Sequence, residues 1–115
     1  MSSSQYETAM SDFTVHVFVN SSGEAIVSPP YVVAKKNKEI DIVNLTGEDI
    51  HVFYPANIFD DGSGGKAGKH SKAVSVKDTK KVHNTTDRGA YRYSVFCFKT
   101  GTLAKGNSDP EFIIE

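Results

Sequence analysis

Hydrophobic residues in this chain alternate with polar ones over short runs. Between positions 13 and 20, Phe13, Val15, Val17 and Val19 are interleaved with mostly polar residues, the pattern of a strand with one face in a core. No segment of roughly ten residues or more repeats apolar residues every ~3.6 positions, as an amphipathic helix would. About eight such short runs, separated by turns, predict an all-β fold: a Greek-key antiparallel β-sandwich.

The predicted strands are separated by segments rich in Gly, Pro, Asn and Ser. The prolines Pro29 and Pro30 exclude a central strand at that point and indicate a sheet edge or crossover. The run at 91–98 has large side chains on both faces, which favours a central position. Further strands are predicted at 25–27, 31–34, 39–44, 50–54, 72–76, 80–83 and 112–114.

A chain of 115 residues is long enough for one domain. Residues 1–11 are polar and without periodicity, so we predict a disordered leader followed by a single β-sandwich domain over 12–115. No apolar run approaches the ~20 residues of a membrane helix. The first residues do not resemble a secretory signal, and Cys97, the single cysteine, suits a reducing compartment. We therefore expect a cytoplasmic location, although export of a mature chain is compatible with the sequence.

The charges are balanced overall but unevenly distributed. Thirteen basic against fourteen acidic side chains favour neither nucleic acid nor an anionic membrane as partner. Six lysines nevertheless lie within residues 66–81, and four acidic residues lie within 39–49. Because no aromatic residues are interleaved with these lysines, a solvated face is the favoured interpretation. Self-association through the two opposite patches, giving a homo-oligomer, is the alternative.

Two segments around the cysteine carry a family resemblance. Residues 89–97 are GAYRYSVFC, ending at Cys97, and residues 44–53 are NLTGEDIHVF, which contain His51. Together they resemble the cupredoxin family, small β-sandwiches that carry blue copper, over residues 30–115. In that family an asparagine-containing strand leads to a first histidine ligand, and a Gly/Tyr-rich strand ends in a cysteine ligand. The resemblance implies a cupredoxin-like fold, with His51 and Cys97 at these two positions.

The ligand set that the resemblance implies is incomplete. The family places a second histidine and usually a methionine shortly after the cysteine, whereas residues 98–115 contain neither. A blue-copper centre needs two histidines, one cysteine and a weak axial ligand, so we predict a domain that lacks the complete copper site and has no cofactor. The alternative is a non-standard copper site of His51, Cys97 and His83, whose spacing matches no paired-ligand motif.

Two functions follow from these interpretations. The leading hypothesis is a small non-enzymatic binding or interaction protein of unknown partner, in which Cys97 packs in the core and His51 is structural. The rival is a metal-binding or electron-transfer protein in which Cys97 is a ligand. An immunoglobulin-like adhesion module is a third hypothesis, and it predicts a different strand order with no approach of His51 to Cys97.

Enzymatic activity is not expected from this sequence. Cys97 and His51 form a nucleophile–base dyad only if their strand ends meet, and no oxyanion-hole element accompanies them. We expect a protein or small-molecule partner to bind at the long loops, residues 57–70 and 99–110, since loops on a rigid scaffold usually carry recognition.

Overall fold

Short β-strands build the computed structural model, which describes residues 12–104 and 109–115. The predicted leader lies outside these residues, so the domain boundary at residue 12 stays a prediction. The described residues contain no helix, and hence none that could span a membrane. In chain order the strands are β1 (Phe13–Val19), β2 (Ala25–Ser28), β3 (Tyr31–Ala34), β4 (Glu39–Asn44), β5 (Ile50–Tyr54), β6 (His70–Val74), β7 (Lys77–Lys81), β8 (Gly89–Arg92), β9 (Ser94–Cys97), β10 (Thr102–Leu103) and β11 (Glu111–Ile114).

The strands form two layers. The first layer is a sheet in the order β2-β1-β4-β7. The second contains the sheets β10-β9-β5-β6 and β3-β11-β8, which are joined because only Tyr93 separates β8 from β9. Strands distant in sequence are therefore neighbours in space, and the prediction of an all-β sandwich is confirmed. Two pairs, β1 with β4 and β3 with β11, are parallel rather than antiparallel.

The core lies between the layers and contains the apolar residues at alternate strand positions, as the sequence pattern predicts. Val15 and Val17 of β1 are fully buried, as are Ile50 and Val52 of β5. The prediction for the two prolines is confirmed, because β2 and β3, on either side of them, are both edge strands. Aromatic rings complete the core: Phe59 meets Phe112 edge-on at 5.2 Å, and Tyr93 stacks on Phe112 at 4.0 Å.

Several predicted boundaries differ from those observed. The strands predicted at 72–76 and 80–83 begin earlier, at His70 and Lys77, because the first pairs along all of β5 and the second along β4. The strand predicted at 91–98 is divided at Tyr93, and β10 lies within the predicted loop 99–110. The glycine-rich segment 57–70 is anchored, because Ile58 and Phe59 are buried in the core. A local pattern does not reveal these long-range pairings.

Candidate functional site

Cys97 ends β9 on the inner face of the second layer. It lies directly opposite Ile50 of β5, and both side chains are fully buried. The neighbouring inner residues Val52 and Val95 are also paired and buried. The thiol is free of any disulfide and is sealed from solvent. Cys97 is therefore part of the hydrophobic core, as its buried strand face suggested.

His51 lies one residue farther along β5 and on the opposite face of the same sheet. Its partner across the pair is Phe96, not Cys97, and its ring contacts that of Phe53 at 5.1 Å. Successive side chains of a strand point to opposite faces, so a one-residue offset separates His51 from the thiol by the thickness of the sheet. The structure brings the two backbones together at one end of the sandwich but does not bring the two side chains together.

His83 follows β7 and is occupied by local hydrogen bonds. Its Nε2 lies 3.1 Å from the carbonyl oxygen of Gly64, and its Nδ1 accepts from the backbone N–H of Thr85 at 3.1 Å. This pattern fixes the tautomer with the proton on Nε2. His83 is buried and ties the glycine-rich segment to the turn after β7. Both ring nitrogens therefore have protein partners, which accounts for this histidine structurally.

Asn44, the asparagine in the motif upstream of His51, also has a structural role. Its side-chain amide donates to the carbonyl oxygens of Glu48, Val74 and Ser75, at 2.7 to 3.0 Å. Its side-chain oxygen accepts from the backbone N–H and the hydroxyl of Thr46. Asn44 thus fixes the turn between β4 and β5 against the end of β6, and this holds the start of β5 in place.

Parts of the lysine-rich and acidic segments are neighbours in the first layer. Three of the lysines lie on β7 and two of the acidic residues on β4, and these strands pair antiparallel with Glu39 opposite Lys81. Asp41 is buried, accepts a hydrogen bond from Thr79 and lies 3.9 Å from the Nζ of Lys77. The predicted self-association through the two patches stays a prediction.

Asp78 is the centre of a buried polar network at the edge of the core. The hydroxyl of Tyr54 donates to it at 2.6 Å, and the Nζ of Lys72 lies 2.8 Å away. Burial by itself raises the pKa of Asp78, but hydrogen bonds from Lys72 and Tyr54 and the charge of Lys80 hold that pKa below its ordinary value. Burial, then the bond to Asp78, raises the pKa of Tyr54. At neutral pH, Asp78 is therefore an ionised carboxylate and Tyr54 a neutral phenol.

The outer face of β5, β9 and β10 is largely apolar and partly exposed. We define the aromatic face as His51, Phe53, Phe96, Phe98 and Leu103. Phe53, Phe98 and Leu103 are 42%, 53% and 48% exposed. Phe96 packs edge-on against Phe98 at 5.1 Å and lies across the sheet from both His51 and Leu103. The aromatic face is contiguous, since its members are neighbours along or across three paired strands.

A cleft of about 540 Å³ adjoins the aromatic face. Phe53 and Leu103 form part of its lining, together with Pro55 and Ala56 after the end of β5. Its charged lining residues are Lys69 and Arg92. The sequence signal for this region is the large side chains on both faces of 91–98, which favoured a central position, and β9 does lie between β10 and β5.

Comparisons with known proteins identify the fold. No protein-family model and no curated protein matches this chain. Among solved structures, a plastocyanin from Dryopteris crassirhizoma superposes with a TM-score of 0.54 at 14% identity, covering 89% of this chain and 99% of that one. A purple cupredoxin from Nitrosopumilus maritimus gives 0.51 at 12% identity, covering 90% and 100%. The fold is cupredoxin-like.

A third structure, a Cu(I) form of an amicyanin variant, gives a TM-score of 0.50 at 11% identity, covering 94% of this chain and 88% of that one. At these identities the likenesses establish the fold alone. The cupredoxin-like strand order and the meeting of the β5 and β9 ends favour the predicted fold over the immunoglobulin-like hypothesis.

The residues of this cupredoxin-like domain do not fit a blue-copper centre. Such a centre needs its histidine and cysteine donors around one ion at bonds of about 2 Å. Here the thiol of Cys97 points into the core and His51 points out of it, while His83 uses both ring nitrogens in hydrogen bonds. Across residues 12–104 and 109–115, no three His, Cys, Asp or Glu side chains are grouped to hold a metal.

Proposed function

We propose that this protein is a non-enzymatic binding protein and that the aromatic face is its binding surface. The observation that carries the proposal is the exposure of Phe53, Phe98 and Leu103 on neighbouring strands of one sheet. Single exposed apolar residues are normal, but a contiguous cluster marks an interaction site. Aromatic side chains are also enriched among the residues that dominate binding energy.

The support beneath this surface favours binding without large rearrangement. The strands that carry the aromatic face present Ile50, Val52, Val95 and Cys97 on their other face, all fully buried. Close packing of a core fixes the strands above it. A rigid surface loses little conformational entropy when a partner docks, and this favours affinity.

A non-enzymatic role agrees with the state of the candidate catalytic groups. A nucleophilic cysteine needs a neighbouring base and access to substrate, whereas the Cys97 thiol is sealed and His51 lies on the other face. The reducing conditions that suit a single free cysteine agree with the cytoplasmic location that we propose.

Copper binding is the rival function, because the fold is that of copper proteins. We expect anaerobic titration of the reduced, metal-free protein with Cu(II) to give no intense cysteine-to-copper absorption at one equivalent. Cys97→Ser is the matched variant. A one-equivalent charge-transfer band that disappears in Cys97→Ser would contradict the proposal, because it would require the core to rearrange around a metal.

The proposal is tested by comparing variants of the surface in one binding assay. Immobilised wild-type protein, Phe53→Thr, Phe98→Thr and Val76→Thr are exposed to the same cell extract, and each retained protein is then purified for a titration. Val76 is the control, because it is apolar and 69% exposed but lies outside the aromatic face.

We expect a genuine partner to bind wild type and Val76→Thr equally and each Phe variant about five-fold or more weakly. A purified partner whose affinity is the same for all four proteins contradicts the assignment of the aromatic face.

A further inference from the structure

The cleft beside the aromatic face combines apolar walls with positive charge. Phe53 and Leu103 belong to both features, so the cleft opens directly from the aromatic face. Its volume of about 540 Å³ lies within the range of sites that enclose a side chain or a small ligand. A ligand group in the cleft therefore meets carbon surface as well as positive charge.

The charges at the cleft are of one sign. Lys69 and Arg92 line it, and no acidic side chain of the described residues does, although the chain as a whole carries a net charge of −1. Arg92 is 76% exposed and makes only a loose pair with Glu111, with 3.8 Å between Nε and Oε2. The cleft is thus a local positive site on a nearly neutral protein, and a carboxylate is the complementary group.

We propose that the cleft binds an acidic segment of a partner protein, with a carboxylate between Lys69 and Arg92 and an adjacent apolar side chain against Phe53 and Leu103. This inference rests on the proposed binding function and adds the chemistry of the partner. The aromatic face then contacts the apolar residues that continue the segment away from the cleft.

The distribution of charge favours an acidic peptide over single-stranded nucleic acid. Exposed aromatic rings can stack bases, but a nucleic acid also needs positive charge along its whole backbone path. Here the lining cations stand at one end of the aromatic face. At the other end, the backbone N–H of Phe98 donates to the carbonyl oxygen of Asp49, an exposed acidic residue, and the exposed Lys99 follows Phe98, so the formal charges there offset each other. The positive charge is therefore concentrated at the cleft, and this arrangement fits a localised carboxylate better than a continuous polyanion.

The test uses two capped peptides that differ only in charge, SDFDLS and its amide counterpart SNFNLS. Each is titrated into isotopically labelled protein, and backbone amide shifts are followed by NMR at low and high salt. We expect saturable shifts around the cleft with SDFDLS, and weaker binding at high salt because the attraction is screened. The SNFNLS peptide is expected to bind more weakly.

Two variants and one control assign the effect to the cleft cations. Lys69→Gln and Arg92→Gln are each expected to weaken SDFDLS binding about 1.4- to 5-fold, the range for exposed ion pairs, and to leave SNFNLS binding unchanged. Lys36→Gln is the control, because it removes the same charge from an exposed turn away from the cleft.

Distinct outcomes overturn the two proposals. Equal affinity for both peptides, with binding lost in Phe53→Thr, overturns the acidic specificity and leaves the aromatic face as a binding surface. Preferential binding of an oligothymidylate across the same residues overturns the peptide assignment. Shifts that depend only on protein concentration identify a second copy of the chain as the occupant. The absence of saturable shifts from either peptide overturns the cleft proposal, and the variant assay above then decides the aromatic face separately.

Discussion

Both faces of the β5–β9 sheet carry hydrophobic side chains, but those of the inner face are buried and those of the outer face are partly exposed. On the inner face, Ile50 and Cys97 are paired and fully buried beneath the first layer. On the outer face, Phe53 and Phe98 belong to the same two strand paths and are about half exposed, at 42% and 53%. Hydrophobic side chains therefore stabilise the fold on the inner face and are partly exposed on the outer one, because the first layer packs over the inner face.

The largest effect that tests this comparison is a truncation on the inner face. We expect Ile50→Ala to lower the free energy of unfolding by about 2–5 kcal/mol, because it leaves a cavity opposite Cys97. Urea denaturation followed by circular dichroism measures the loss. A loss below about 1 kcal/mol would mean that the inner face is no better packed than the outer one.

The next prediction concerns the buried carboxylate of Asp78, at the polar edge of the same core. Asp78→Asn is expected to lower stability at neutral pH by about 1–3 kcal/mol, because charge-assisted bonds to Tyr54 and Lys72 are lost. The pKa of Asp78 is lower in the folded state than in the unfolded state, so its contribution is present above the unfolded pKa and disappears as the pH falls through the folded pKa.

Unfolding measured from neutral to acidic pH should therefore show a shallower loss of stability in Asp78→Asn than in wild type. Asp87→Asn, which changes an exposed carboxylate, should keep the wild-type slope. Equal slopes for wild type and Asp78→Asn would show that Asp78 does not contribute to acid sensitivity.

A smaller effect concerns Tyr93, whose hydroxyl is buried without a hydrogen-bond partner among the described residues. Burial raises its pKa, and an unpaired buried hydroxyl opposes folding. We expect Tyr93→Phe to raise the free energy of unfolding by about 1 kcal/mol. Tyr54→Phe is the matched control and should lower it, since that hydroxyl donates to Asp78. Destabilisation by both changes would reveal a partner for the Tyr93 hydroxyl.

The smallest effect is expected on the outer face. Phe53→Thr keeps a good strand former and removes an exposed ring, so stability should change by no more than about 0.5 kcal/mol. Thermal and urea unfolding of Phe53→Thr and Ile50→Ala, measured under the same conditions, compare the two losses of stability directly. A loss as large as that of Ile50→Ala would place Phe53 within the cooperative core and weaken its assignment to a binding surface.

Much of the fold was predictable because the alternation of apolar and polar residues can be recognised within each strand, without knowledge of its partners. The runs at β1 and β5 have one buried face that spacing alone identifies, and Cys97 falls in the core with Val95 as the same spacing predicts. The prolines at 29 and 30 place the sheet edge for an equally local reason, since proline cannot donate to a sheet ladder.

The site was less predictable because it depends on pairing between distant segments. The resemblance placed His51 and Cys97 together, but the register Ile50↔Cys97 sets them on opposite faces. The pairing of β4 with β7 brings together parts of two charged segments that are some forty positions apart in the sequence. Likewise, β10 adds Leu103 to the aromatic face from a segment that was predicted to be a loop.

By itself the sequence determined that this chain forms short strands with apolar residues on alternate positions, because that pattern arises from the geometry of each strand. Only the tertiary structure decided which apolar face is buried and that His51 lies on the opposite face of the sheet from the thiol. Both depend on strand register and on the packing of one layer over the other, and these interactions join residues far apart in the chain.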